Sequence, residues 1–335
     1  MKCPACQTDS KKTERTLSAC PKCARLFKLD PPIAGVSDYA VDAMIEKLTD
    51  RRTYKYTKRQ LAAVIERRLT GKRRKVRVVG AVLASIALAT ATIAGAAEIY
   101  PLLIGVAVLL LIALLVFATA GFDPASVGMI VNTFGPTPLQ VEPRRGPPPR
   151  TGGVKEFDLQ SYGFDRVIVV QGDDIVEMLV QNQFHFQHNA AIVSFDGYPA
   201  HVAALVDKQV YENQATPIVV LHDATADGYG RAAHWLAARR VAAPRIIRAG
   251  LTPRQVAKVR PHGAPVGVAP KGLTPKDASW LAARGVTIAA LKPGQVMTLL
   301  FNAMQRPPTP RLASASGGDD VGFFVVDADG GYDFG

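Results

Sequence analysis

The sequence predicts a multi-domain protein with a small metal-stapled module, a hairpin of two membrane-spanning helices, and a C-terminal α/β domain with a mainly parallel sheet. All four cysteines lie in the first 23 residues, two long uncharged runs follow, and strands then alternate with helices. The 335 residues allow about two domains, and the formal net charge is +12. With 4 Cys and 48% hydrophobic residues, a disulfide-stapled secreted mini-protein and a wholly disordered chain are excluded.

Two CPxC pairs in residues 1–30 contain all the cysteines, which are Cys3, Cys6, Cys20 and Cys23. Two residues separate the members of each pair, so one tight turn can present two thiolates to one ion, and four thiolates suit tetrahedral Zn²⁺. This region resembles the zinc ribbons, which implies a structural Zn²⁺. A Cys₄ set has no open coordination position, so catalysis at the metal is not expected. Two disulfides or a redox CxxC pair are the alternatives.

Residues 31–77 are predicted as a basic helical segment. One helix starts at Ser37-Asp38, and a second starts at Thr57, where Gln60 completes a capping box. Residues 51–77 contain twelve basic residues and one acidic residue. This pattern is compatible with a nucleic-acid patch, but the favoured interpretation is the cytoplasmic flank of a membrane span.

Two uncharged runs of twenty residues, Val78–Ala97 and Pro101–Ala120, are predicted as transmembrane helices of about 30 Å each. Three residues separate them, so the pair forms a tight antiparallel hairpin. Basic residues before the first run and after the second predict a location in the inner membrane with both termini in the cytoplasm and the lipid bilayer as a partner. Two buried helices of a soluble bundle are the rival interpretation.

The remainder is divided into a Pro/Gly-rich linker (121–153), an α/β domain (154–306) and a disordered tail (307–335). Strands are predicted for four apolar runs: Arg166–Val170, Ala191–Phe195, Pro217–Leu221 and Arg245–Arg248. Helices are predicted between and after them: Asp173–Phe184, Pro199–Val210, Arg231–Arg240, Thr252–Val259, Pro275–Arg284 and Gly294–Met304. This alternation predicts βαβ units and a parallel, Rossmann-like sheet.

Polar residues follow three of these strands, where open α/β sheets carry their reactive groups. They read Gln171-Gly172-Asp173-Asp174, then Asp196-Gly197-Tyr198-Pro199, then the segment from His222 to Gly228. Over about residues 164–260 this order resembles the Toprim domain, especially its version in the A subunit of type IIB topoisomerases. In that group a Glu and two Asp residues hold Mg²⁺ for phosphodiester chemistry, so the resemblance implies a Mg²⁺ site here.

The sequence departs from the Toprim pattern at two of the three ligand positions. Gln171 stands where the Glu would be, Asp223 takes the first Asp position, and Thr225 takes the second. An amide and a hydroxyl are poorer ligands for Mg²⁺ than carboxylates. The candidate catalytic residues are the three nearby acids: Asp223, Asp227 and Asp173. The candidate cofactor-binding residues are Gln171, Gly172, Thr225 and Gly228.

Three weaker patterns have ordinary structural interpretations. His185-x-x-His188 suits a pair of metal ligands, but a polar loop is favoured. His222 beside Asp223 suits an acid/base pair, but a strand-end histidine with a hydrogen-bonded neighbour is favoured. Gly228-Tyr229-Gly230 suits a phosphate contact at the start of a helix, but a plain turn is favoured.

Three functions are compatible with these features. The favoured one is a non-catalytic binding protein for nucleic acid, a nucleotide or a protein partner, because two acidic ligands are missing. The alternatives are a metal-dependent nuclease or phosphotransferase and a scaffold of a membrane complex. A late group of arginines is the candidate for phosphate contacts: Arg239, Arg240, Arg245, Arg248, Arg254 and Arg260. Nothing in the sequence determines the oligomeric state.

Overall fold

The computed structural model describes residues 2–15, 18–29, 35–96, 125–144, 163–256 and 273–305. The helices are α1 (Asp38–Leu48), α2 (Lys58–Ala96), α3 (Ala125–Phe134), α4 (Asp173–Gln181), α5 (Phe184–Gln187), α6 (Ala200–Glu212), α7 (Ala226–Ala238), α8 (Pro275–Ala283) and α9 (Pro293–Met304). The strands are β1 (Tyr56–Thr57), β2 (Gln140–Val141), β3 (Arg166–Val170), β4 (Ala190–Ser194), β5 (Ile218–Leu221) and β6 (Ile246–Arg248). Short 3₁₀ turns occupy Lys12–Glu14, Ala243–Arg245 and Ile288–Ala290.

The chain divides into two compact units. One lies within Met1–Met44 and Ala62–Pro136, and the other lies within Ile45–Leu61 and Thr137–Gly335. Each unit is therefore assembled from two stretches of sequence, and the second unit contains the sheet.

In the first unit, Asp38 joins the cysteine-containing module to the start of α1. Its carboxylate accepts hydrogen bonds from the backbone N–H groups of Lys28 (2.7 Å) and Leu29 (3.1 Å). Asp38 is buried, and burial raises its pKa. The helix predicted from Ser37-Asp38 is confirmed, because α1 begins at Asp38.

The second unit is built on a four-stranded parallel sheet in the order β4-β3-β5-β6. This confirms the predicted α/β arrangement with a parallel sheet. Strand β4 lies on one side of β3 and β5 lies on the other, so the strand order reverses at β3. In open α/β sheets the carboxyl ends at such a switch point are the usual ligand crevice. Gln171 and Asp223 follow β3 and β5 at this point.

Alternation along the strands gives the sheet two apolar faces. Ile168 and Val170 face one core with α4 and α9, whereas Val167 and Val169 face a second core with α6 and α7. The strands are buried on both sides, which explains why their sequences are continuous apolar runs rather than alternating patterns.

Most predicted elements of the sheet domain agree with the structure, but the helix predicted at Thr252–Val259 is wrong, since its described residues 253–256 form a turn, and the helix predicted to reach Phe184 ends at Gln181. Strand β3 has the predicted bounds, and α8 and α9 differ from the prediction by one residue. Helix α7 begins five residues earlier than predicted, because Thr225 caps it. In the predicted linker, Ala125–Phe134 forms α3, which the composition did not reveal. The predicted tail 307–335 lies outside the described residues.

No helix in the described part of the chain combines the length and the apolar character needed to cross a membrane. The predicted two-span hairpin, and with it the inner-membrane location, is therefore wrong on this finding. The first predicted span is not a separate helix: up to Ala96 its residues continue α2, which begins at Lys58 and contains nine basic residues before Val78. A run without charges describes composition alone and does not determine where a helix begins. The second predicted span lies outside the described residues.

Candidate functional site

The two CPxC pairs adopt the same turn. In the first, the backbone N–H of Gln7 donates to the carbonyl of Cys3 at 2.9 Å; in the second, Ala24 donates to Cys20 at 2.9 Å. Gln7 and Ala24 have positive φ values of 59° and 55°. Two identical turns present two thiols each from their tips, which is the geometry that the spacing predicts.

The four Sγ atoms lie within 4.8 Å of one another. Cys3 and Cys23 are 3.6 Å apart at Sγ, and so are Cys6 and Cys20. Zn–S bonds of about 2.3 Å in a tetrahedron give S···S distances of about 3.8 Å, so the cluster has the size of a metal site. The four thiols are free, which does not support the disulfide alternative. The four cysteines are therefore placed to bind a metal ion.

The Cys6 thiol is prepared for ionisation. Hydrogen bonds with the Thr8 side chain and backbone lower the pKa of Cys6 to about 6. In the same cluster the Arg25 backbone lowers the pKa of Cys23, but burial and the neighbouring thiols outweigh it and raise that pKa to about 11. The pKa shifts of these two thiols therefore have opposite effects on formation of the thiolate that binds metal.

At the carboxyl edge of the sheet, Gln171 makes internal hydrogen bonds with both ends of its amide. Its Oε1 accepts from the backbone N–H of Asp223 at 2.9 Å, and its Nε2 donates to Asp227 Oδ2 at 3.3 Å. Gln171 is buried, so these contacts satisfy an amide that has little access to water. The residue at the Glu position of the Toprim pattern therefore links the ends of β3 and β5.

The Asp223 carboxylate also makes an internal contact. Its Oδ1 accepts a hydrogen bond of 2.7 Å from the backbone N–H of Ile288. Only 7% of Asp223 is exposed, and burial raises its pKa to about 6, although the Ile288 N–H and the positive charge of Arg59 act in the opposite direction. Asp223 thus holds the 3₁₀ turn Ile288–Ala290 against the sheet.

The third ligand position, Thr225, caps α7. Its Oγ1 accepts a hydrogen bond of 2.9 Å from the backbone N–H of Gly228. Gly228 is crowded, because a Cβ there would lie 2.6 Å from both the Asp223 carbonyl oxygen and Gln171 Oε1. The glycine allows the first turn of α7 to approach the ends of β3 and β5 closely.

The acidic residues after β3 lie in the first turn of α4. Asp174 accepts a bidentate hydrogen bond from Arg59, in which Nε and Asp174 Oδ2 are 2.7 Å apart. Asp173 Oδ1 is buried and has no hydrogen-bond partner among the described residues. Gly172, with a φ of 101°, precedes them, and a side chain there would collide with the Arg59 guanidinium.

Arg59 is the residue of this edge that sequence reasoning missed. It lies 115 positions from Asp174, and its place in a strongly basic stretch indicated a lipid flank instead. Its position in the first turn of α2, two residues after the Thr57 cap, was the available clue, but no local pattern identifies the distant partner.

Within the described ranges, the cysteines are the only group of three or more His, Cys, Asp or Glu side chains close enough to hold a metal. The three acids predicted as catalytic, Asp223, Asp227 and Asp173, form no such group. Gln171 contacts both Asp223 and Asp227, so the structure gathers these residues around an amide rather than around an ion.

The histidines lie in ordinary structural positions. His222 Nδ1 is 2.9 Å from the Asp223 carbonyl oxygen, and its ring packs on Tyr229 with centroids 4.3 Å apart. Burial lowers the pKa of His222. His188 packs between the rings of Phe184 (4.3 Å) and Phe301 (5.6 Å).

The arginine group proposed for phosphate contacts is not a single surface. Arg245 is buried, and its guanidinium donates to the carbonyl oxygens of Val210, Asn213 and Thr216 and to the Gln214 side chain. Arg245 therefore organises the loop between α6 and β5 and is not available to a phosphate. Arg248 is exposed.

No family model matches this chain, and no curated protein sequence matches it. The resemblance to the Toprim domain therefore stays a prediction that rests on the short motifs themselves.

Proposed function

We propose that this chain is a binding protein that holds nucleic acid without cleaving it. The observation that carries this proposal is the engagement of all three Toprim ligand positions inside the fold. Gln171 bonds to the Asp223 N–H, Asp223 bonds to the Ile288 N–H, and Thr225 bonds to the Gly228 N–H. To act on a metal or substrate, each of these side chains would have to leave a backbone N–H group without its partner, at a cost of about 1–3 kcal/mol.

In this proposal the cysteine cluster holds one structural Zn²⁺ as in a zinc ribbon, and the sheet domain is a degenerate Toprim-like domain. The size of the cluster supports the zinc assignment. With all four positions filled by thiolates, the ion supplies folding energy and no open coordination position.

The charge of the zinc module supports nucleic acid as the ligand. Five of its described basic side chains are exposed: Lys2, Lys11, Lys22, Arg25 and Lys28. Its described acidic residues, Asp9 and Glu14, are fewer. A compact module with an exposed excess of positive charge attracts the phosphate backbone and releases counterions when it binds.

Fluorescence anisotropy of labelled single- and double-stranded RNA and DNA tests this proposal with the zinc-loaded full chain. We expect binding at 50 mM salt that weakens as salt rises, and a loss of about tenfold in the double variant Lys22→Glu, Arg25→Glu. The matched control is Lys208→Glu, Lys276→Glu, which makes the same charge change at exposed positions of the sheet domain.

Two outcomes would refute the ligand assignment. One is the absence of binding at low salt. The other is an equal loss of affinity in both double variants, which would show that net charge, rather than the zinc module, produces the effect.

A second candidate function, a metal-dependent nuclease, is favoured by one observation. Asp173 Oδ1 is a buried carboxylate oxygen without a hydrogen-bond partner among the described residues. Such an atom is costly unless a ligand satisfies it. A cleavage assay with the full chain in Mg²⁺ or Mn²⁺ distinguishes this candidate from non-catalytic binding.

A further inference from the structure

Residues 54–61, here called the strap, are packed on the sheet domain although more than a hundred residues separate them from it in sequence. The strap contains β1, which pairs in parallel with β2 through Tyr56↔Gln140 and Thr57↔Val141. The backbone N–H of Lys55 donates to Asn182 Oδ1 at 2.9 Å, and Asn182 Nδ2 donates back to the Lys55 carbonyl at 3.0 Å. This reciprocal pair fixes the strap at the C-terminal end of α4.

The strap also contacts the segment Ile288–Leu291, which Asp223 binds at the carboxyl edge of the sheet. Gln60 is fully buried, and its Nε2 donates to the Leu291 carbonyl at 3.0 Å, while its Oε1 accepts from the Thr57 N–H at 2.9 Å. Leu291 directly follows the 3₁₀ turn whose Ile288 N–H bonds to Asp223. The strap and Asp223 therefore hold the same short segment at two points.

Arg59 brings the positive charge of the strap to the acids at the start of α4. Its guanidinium binds Asp174 in bidentate fashion. It also occupies the space that a side chain at position 172 would need, which Gly172 leaves empty. Burial lowers the pKa of Arg59, but the hydrogen bond to Asp174 outweighs burial and leaves the pKa above its ordinary value. The charges of Asp223 and Asp173 act on Arg59 in the same direction.

We infer that the strap is an autoinhibitory closure of the carboxyl edge, in which Arg59 is the counter-ion of Asp174, covers the acidic turn of Asp173 and Asp174 and keeps external ligands away from it. This inference rests on the proposed function, because it supplies the reason that an acidic edge at a switch point does not act on nucleic acid. A guanidinium neutralises carboxylates that would otherwise repel one another.

The test is carbodiimide labelling of carboxylates with glycine ethyl ester, read residue by residue by mass spectrometry on the zinc-loaded full chain. Arg59→Met should raise the labelling of Asp173, as well as that of Asp174, by about tenfold, the change that corresponds to about 1.4 kcal/mol of lost protection. The matched control is Arg239→Met, which removes a comparable Arg–Asp pair on the same domain: Arg239 Nε and Asp207 Oδ1 are 2.7 Å apart. This control should raise the labelling of Asp207 alone.

Unchanged labelling of Asp173 in a folded Arg59→Met variant would overturn the inference, because Arg59 would then be only a surface partner of Asp174. If Arg59→Met unfolds the domain, labelling of Asp207 rises as well, and Asp174→Asn decides instead, since it breaks the same pair from the other side. Labelling does not measure binding or cleavage of nucleic acid, so failure of the proposed function would be seen separately.

Discussion

The cysteine cluster and the carboxyl edge of the sheet both gather side chains suited to metal chemistry, but they differ in what those side chains contact. The four thiols approach one another to within 4.8 Å and form no disulfide. At the carboxyl edge, Gln171, Asp223 and Thr225 each bond to a backbone N–H group of the fold. One region presents its ligand atoms to a common point, and the other uses them to join its own elements.

This difference shows why a residue pattern alone does not establish a metal site. A carboxylate or amide that satisfies a buried backbone N–H group cannot leave it without a cost of about 1–3 kcal/mol. The two regions are therefore expected to respond in opposite ways to substitution and to pH. The cysteine cluster should depend on an ion, and the carboxyl edge should depend on hydrogen bonds.

The largest expected effect is at the cysteine cluster. Cys20→Ser should abolish zinc binding and unfold the zinc module, because structural zinc contributes about 10 kcal/mol or more to the folding of such small modules. Zinc per chain, measured by mass spectrometry, should fall from one to none, and limited proteolysis should cut within residues 2–29. Lys22→Ser, an exposed change between two cysteines, should leave both measurements unchanged. Full zinc content in Cys20→Ser would contradict the assignment.

The carboxyl edge should show the next largest effect, as a dependence of stability on pH. Because burial raises the pKa of Asp223 to about 6, the folded state binds its proton more tightly than the unfolded state does. This contribution to stability is complete below about pH 4, the ordinary pKa of an aspartate, and is lost as pH rises through about 6. With one pKa unit equal to about 1.4 kcal/mol, the free energy of unfolding should fall by about 2–3 kcal/mol over that range.

Urea denaturation between pH 4 and 7 measures this effect in the wild type and in Asp223→Asn. The asparagine keeps an oxygen to accept from the Ile288 N–H and cannot ionise, so its curve should lack this fall in stability. Identical pH dependence in both proteins would show that Asp223 is not the titrating group.

A smaller effect of about 1–3 kcal/mol is expected for Gly228→Ala, since a Cβ there would meet the Asp223 backbone at 2.6 Å. Gly230→Ala, two residues further along α7, is the matched control because no atom lies within 4 Å of the new Cβ. It should stabilise the protein by about 0.5–1 kcal/mol, the usual gain when alanine replaces glycine in a helix. Equal changes in the thermal denaturation of both variants would mean that the edge is not tightly packed.

The smallest effect on stability should follow from Arg59→Met. Half of the Arg59 side chain is exposed, and such pairs contribute about 0–1 kcal/mol because water screens them. Thermal denaturation should therefore shift by only a few degrees even though carboxylate labelling at the edge rises. A loss of stability as large as that caused by Gly228→Ala would indicate that Arg59 supports the fold rather than covering the edge.

Local patterns predicted much of the fold. The apolar run Arg166–Val170 gave β3 with the observed bounds, and Thr57 with Gln60 gave the start of α2 with the predicted capping box. The spacing of the two CPxC pairs predicted the cluster of four cysteines. Each of these features depends on residues within a few positions of one another.

Features that depend on distant residues were not predictable in this way. The pairing of β1 with β2, the ion pair of Arg59 with Asp174 and the role of Arg245 in a loop all join residues far apart in sequence. The predicted membrane hairpin failed for a related reason, since a window of composition does not reveal that Val78–Ala96 belongs to a longer basic helix.

The most direct test of the account is incubation of the zinc-loaded full chain with labelled single- and double-stranded DNA and RNA in Mg²⁺ or Mn²⁺, beside Asp223→Asn. We expect the nucleic acid to be retained and to remain intact in both samples, because the Asp223 carboxylate is bonded to the Ile288 N–H. Metal-dependent cleavage by the wild type that disappears in Asp223→Asn would contradict it and would establish the carboxyl edge as an active site.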